Sequence, residues 1–193
     1  MQLYGIGDLH LSLGVPEKPM DIFHGWENYM QLLEQHWRAM VQPEDTVVLA
    51  GDLSWGMTLP QAKADFAFLE TLPGQKIILK GNHDYWWNSM KKMQQFFADN
   101  GFDSLHILHN NHYAFQQYGI CGTRGWVSIN GETADAKVLA REVQRLEVSI
   151  QSALKEQLTP IVFLHYPPIY GNSYNYEILE VLHRYAITEC YYG

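Results

Sequence analysis

Four short apolar runs, at residues 3–6, 46–50, 76–79 and 161–164, each stop at a polar, Gly-rich or His-rich segment. Runs of that length, ended so abruptly, read as buried strands feeding loops. Between them lie amphipathic patterns at residues 26–40, 61–71 and 89–99, so the alternation implies an α/β fold with a largely parallel sheet. The second helix has a legible start: Thr58 and Gln61 fit a capping box, and Pro60 falls in the first turn. The longest helix is expected over residues 134–157, where Leu139, Val143, Leu146, Ile150 and Leu154 recur at spacings of three and four as a core stripe. Residues 106–121 switch to short alternating segments with candidate turns at Asn110-Asn111 and Gln116-Gln117, which predicts antiparallel strands or a second sheet. A short helix at residues 177–185 and a last strand at 189–192 complete the pattern.

Ligands of open α/β sheets bind beyond the carboxyl ends of the strands, which directs attention to the four post-strand loops. Asp8 and His10 follow the first run, Asp52 the second, Asn82, His83 and Asp84 the third, and His165 the fourth. In an extended segment Asp8 and His10 point the same way, because side chains repeat every two residues, so both can grip one cation. Oxygen and imidazole donors without thiolates suit Mn²⁺, Fe²⁺ or Zn²⁺. A shared carboxylate is the natural way to hold two such ions about 3.5–4 Å apart, and Asp52, central in the order, is the candidate bridge.

Taken singly these pieces are common. An Asp-x-His pair occurs often by chance, Gly51-Asp52 alone opens turns, and His165 before Tyr166-Pro167-Pro168 alone reads as a core histidine. In their order, Gly7-Asp8-Leu9-His10, Gly51-Asp52, Gly81-Asn82-His83-Asp84 and His165 resemble the calcineurin-like metallophosphoesterase superfamily across nearly the whole chain. The resemblance implies an αββα sandwich, two mixed β-sheets packed face to face and flanked by helices. It also implies that Asp8 and His10 hold one metal, Asp52 bridges, Asn82 and His165 hold the second, and His83 faces the phosphate. The implied reaction is hydrolysis of a phosphomonoester or phosphodiester by a metal-held hydroxide attacking phosphorus in line, without a covalent enzyme intermediate. Catalysis would then centre on His83 and Asp52, and phosphate recognition on Asn82 and His83.

Two departures from the family pattern stand out. Many relatives carry an Asp three positions beyond the bridging one, to orient the histidine of the third motif; Trp55 stands there instead, as an expected pocket wall with Trp86 and Trp87. The family's last motif, Gly-His-x-His, has no counterpart before Gly193, so the expectation is one domain over residues 1–193, incomplete at its C-terminus, that binds metal weakly as it stands. His183, mid-helix, reads as a surface residue and not as a substitute ligand. Arg124, in Cys121-Gly122-Thr123-Arg124-Gly125-Trp126, is a candidate guanidinium for the substrate phosphate. Tyr85 is a candidate for stacking on a substrate ring, and Tyr166, Tyr170 and Asn172 for lining the pocket.

Composition narrows the partners. A formal charge of -8 and no clustered Lys/Arg argue against nucleic acid as substrate, which weakens the reading as a nuclease of the same superfamily. A scaffold that keeps the fold without catalysis is the other rival. No basic, apolar leader and no membrane-length run occurs, so a cytoplasmic location is expected. Cys121 and Cys190 read as buried, unpaired thiols.

Overall fold

The computed structural model describes residues 1–126 and 133–193. They divide into two compact units, residues 1–78 with 82–107 and residues 79–81 with 108–193. The first is built on strands β1 (Leu3–Ile6), β2 (Thr46–Ala50), β3 (Gln75–Leu79) and β4 (Leu105–Ile107), in the order β1-β2-β3-β4. β1 runs parallel to β2 and β3 parallel to β4. Helices α1 (Tyr29–Met40), α2 (Leu59–Glu70) and α3 (Met90–Asn100) make the connections.

Local chemistry accounts for these limits. Helix α1 starts three residues later than its periodicity predicts, because Asn28 takes a left-handed conformation (φ 57°) that ends any helical run from residue 26. At α2, Thr58 Oγ1 accepts from the Gln61 amide at 3.4 Å, while Gln61 Oε1 reaches back to the Met57 amide at 2.8 Å. This is a capping box displaced by one residue on its return bond. Gly101, left-handed at φ 68°, closes α3. The core forms around Phe66, which meets Trp86, Phe97 and Phe102 edge-on at 4.9, 5.1 and 6.1 Å. The expectation of Trp86 as a pocket wall is corrected here: it is 1% exposed and belongs to this core.

In the second unit, β5 (Tyr113–Phe115), β6 (Tyr118–Thr123), β7 (Thr159–Leu164) and β10 (Cys190–Tyr192) form a mixed sheet in the order β10-β7-β6-β5. β5 and β6 are an antiparallel hairpin turning at Gln116, whose φ of 54° confirms that predicted turn, and the other pairings are parallel. Helix α4 (Thr133–Lys155) packs on β6 so closely that a Cβ at Gly119 would lie 2.5 Å from that of Ala153. The expected stripe on α4 needs one correction. Leu154 is 42% exposed and Ala153 takes the buried place, because a 3.6-residue period carries the face of Leu146 and Ile150 to position 153. A two-stranded hairpin, β8 (Ile169–Tyr170) with β9 (Ser173–Tyr174), precedes α5 (Tyr176–Arg184), whose Asn175 cap accepts from the Ile178 amide at 3.1 Å. The α/β class is therefore as expected, and both cysteines are free thiols, but only Cys121 is buried; Cys190, on the last strand, is half-buried. Burial pushes Cys121 up to about 12.

Candidate metal centre

Beyond their last paired residues, β1 and β2 stay joined. The Asp8 amide donates to Gly51 O at 3.0 Å, His10 to Asp52 O at 2.9 Å, and Leu11 to Leu53 O at 2.9 Å. The chain is not extended there, as the two-residue spacing suggested. Asp8, His10 and Asp52 all lie in the left-handed region, at φ 56°, 46° and 51°. Asp and His tolerate that region better than most residues, yet each such residue costs on the order of 1–3 kcal/mol and persists only when its surroundings impose it. Three of them, from two adjacent strand ends, mark these loops as a site.

Their side chains converge. His10 Nε2 lies 3.5 Å from Asp8 Oδ1 and 3.8 Å from Asp52 Oδ2, and one donor atom from each residue falls within 4.8 Å of the others. Two ligands of one ion, each bonded at about 2.0–2.2 Å, can be no farther apart than twice that. Both separations from His10 satisfy the limit, so His10 can share a divalent cation with either carboxylate. Asp52 is buried, and its Oδ1 accepts from the His83 amide at 2.7 Å while Oδ2 lies 4.0 Å from His83 Nε2. One carboxylate thus faces His10 and His83 together.

Two buried carboxylates hold these loops, Asp84 of the third motif and Asp65, which the sequence reading did not single out. Asp84 accepts from the amides of Asp52 at 3.0 Å and Leu53 at 2.9 Å, and from Trp86 Nε1 at 2.9 Å. Asp65, fully buried on α2, accepts from the Leu13 amide at 2.7 Å and from the Ser54 hydroxyl, so it ties the loop after β1 to the loop after β2. Burial pushes its carboxyl up to about 6, against the pull of those hydrogen bonds. The signal for Asp65 was an acidic residue on the same helical face as Ala62, Phe66 and Leu69.

Aromatic rings wall the site. Trp55 stacks on His10 at 4.9 Å and meets His83 at 5.0 Å, with its indole N–H on Met20 Sδ at 3.2 Å. Trp26, which sequence reasoning passed over, meets His10 edge-on at 6.2 Å. Where the family pattern would supply an aspartate, His83 has an indole, and its buried Nδ1 makes no hydrogen bond among the described residues. Tyr85, half exposed, touches the edge of His83 at 6.0 Å.

The remaining candidates are placed as follows. Asn82 follows β3 in the first unit. In the second, His165 is buried after β7 with Tyr166 at 5.1 Å, and Arg124 follows β6. Tyr170 and Asn172 are exposed on the β8–β9 hairpin, and His183 is exposed on α5, as expected.

The family model described as calcineurin-like phosphoesterase matches residues 1–188. The chain belongs to the calcineurin-like phosphoesterase family. Membership sets the activity class, hydrolysis of phosphoesters with divalent cations, and Asp8, His10 and Asp52 form the group among the described residues that could hold an ion. None of the curated proteins matches the chain. Among solved structures, a protein of unknown function from Aquifex aeolicus is similar at 19% identity and a TM-score of 0.48, over 97% of this chain and 87% of that one. No described helix of this calcineurin-like phosphoesterase is long and apolar enough to cross a membrane.

Proposed function

We propose that the protein is a dinuclear metal-dependent hydrolase of phosphomonoesters or phosphodiesters. The observation that carries this reading is the convergence of Asp8, His10 and Asp52 on left-handed backbone at two neighbouring strand ends. When bound, two divalent cations, Mn²⁺, Fe²⁺ or Zn²⁺, supply an activated water and neutralise charge on the phosphoryl oxygens. Asp8 and His10 would hold one ion, and Asp52 would bridge to the second.

His83 works as a hydrogen-bond donor to the phosphate. Its Nε2 faces the bridging carboxylate, and no carboxylate among the described residues orients the ring through Nδ1. Asn82 adds a neutral donor, and Arg124 is assigned to an anionic part of the substrate. The indole of Trp55 excludes water from the inner face of His10 and fixes its ring.

The test is hydrolysis of a generic aryl phosphate and an aryl phosphodiester with added Mn²⁺, together with metal analysis of the purified protein. Turnover above the metal blank that Asp52→Asn removes is the expected result. A folded protein that retains no ions and hydrolyses neither ester would leave the scaffold reading in its place.

A further inference from the structure

The second unit contains a small pocket in which cations outnumber carboxylates. Lys80 at the end of β3, Arg124 after β6 and Arg145 on α4 line it, with His109, Thr123 and Glu142. Glu142 is the carboxylate there, 1% exposed, and its bonding capacity is well used. Arg145 donates to Oε1 at 2.6 Å and the Thr123 hydroxyl donates to Oε2. Arg124 stands off at 3.6 Å, an ion pair without a hydrogen bond.

That leaves Arg124 in an unusual condition. Its guanidinium is 16% exposed and lies over the Trp126 ring at 4.7 Å, which fixes its plane. Its Nε is buried and makes no hydrogen bond among the described residues. A planar guanidinium, held rigid and largely out of water with its Nε–H bond unmade among the described residues, is costly unless an acceptor arrives. The matching acceptor is a compact oxyanion, which takes parallel N–H bonds from a guanidinium. Beside it, burial holds the His109 ring below the usual imidazole value, and Arg145 and Lys80 push it the same way against Glu142.

We infer that this pocket is an oxyanion site, formed by Arg124 with Arg145 and Lys80 around the buried Glu142, for an anionic group that reaches it from its open side. It deepens the substrate role proposed for Arg124, and rests on that reading only for the source of the anion. The group is either free inorganic phosphate or a second anionic substituent on the phosphoester substrate.

Binding is tested without the hydrolase, by calorimetric titration of the full-length, EDTA-treated protein with inorganic phosphate at low ionic strength. The expected result is saturable binding that Arg124→Gln weakens at least tenfold and Asp52→Asn leaves unchanged. Arg124→Lys, which keeps the charge and loses the fork, should fall between wild type and Arg124→Gln, and circular dichroism confirms that each variant is folded. No saturable binding, or binding that survives Arg124→Gln, overturns the site. Phosphate binding in a protein that hydrolyses nothing keeps the site and discards the hydrolase. The source is then read from kcat/KM: a larger loss in Arg124→Gln for an aryl phosphate bearing a second anionic group than for the plain ester assigns the pocket to substrate. Equal losses, with weakened product inhibition by phosphate, assign it to free phosphate.

Discussion

Each unit organises its loops around buried carboxylates, but with opposite partners. In the first, Asp84 and Asp65 are bonded chiefly to backbone amides, those of Asp52, Leu53 and Leu13, so they fix where the chain runs and leave ligand side chains facing one another. In the second, Glu142 is bonded to side chains, the Thr123 hydroxyl and the Arg145 guanidinium, and what it fixes is the position of cations. Carboxylates that grip main chain suit the cation site proposed for the first unit; a carboxylate that grips cations suits the anion site proposed for the second.

The sharpest way to break this contrast is to remove Asp52, the proposed shared ligand. Asp52→Asn should lower phosphoesterase activity by more than the roughly 10–100-fold that loss of an outer partner costs, with phosphate binding in the second unit intact. Glu142→Gln leaves Arg145 and Arg124 without their buried counter-charge, and should destabilise the protein by about 3 kcal/mol. The check is a shift in urea midpoint at constant slope; metal affinity measured alongside should not move. Asp84→Asn ranks next. It weakens two amide bonds to the loop carrying Asp52, and metal affinity measured by competition with a chelator should fall about 10–100-fold.

The smallest effect is a pH dependence. Burial pushes the Asp65 carboxyl up to about 6 from its ordinary 3.8, so the folded chain holds that proton more tightly than the unfolded chain. The stability it lends is therefore complete below about 3.8 and is lost as pH rises to about 6. Relative to Asp65→Asn, the wild type should lose about 2–3 kcal/mol across that window, read from urea midpoints of the metal-free proteins at several pH values. A pH-independent difference would remove burial as the cause.

Legibility followed the physics of each feature. Apolar runs announced β1, β2, β3 and β7, because buried strands leave little room for polar residues. The hairpin of β8 and β9 has two residues a side, too short to show a period, and went unread. β4 was placed among antiparallel segments, yet it lies parallel to β3, since three residues carry no record of direction. Asp8, His10, Asp52 and His83 were legible because they are ligand types at strand ends. Asp65 was not, as a carboxylate that accepts backbone amides leaves no spacing to recognise. The basic pocket was legible only through Arg124, its other members being scattered along residues 80 to 145.

The left-handed backbone at Asp8 has an evolutionary consequence. Glycine adopts that conformation without penalty, so Asp8→Gly should relieve local strain of about 1–2 kcal/mol while deleting a ligand. Selection for stability alone would erode this loop toward glycine. On the proposed metal role, the aspartate that stands there is a trade-off, a less stable loop kept for the sake of what it would bind.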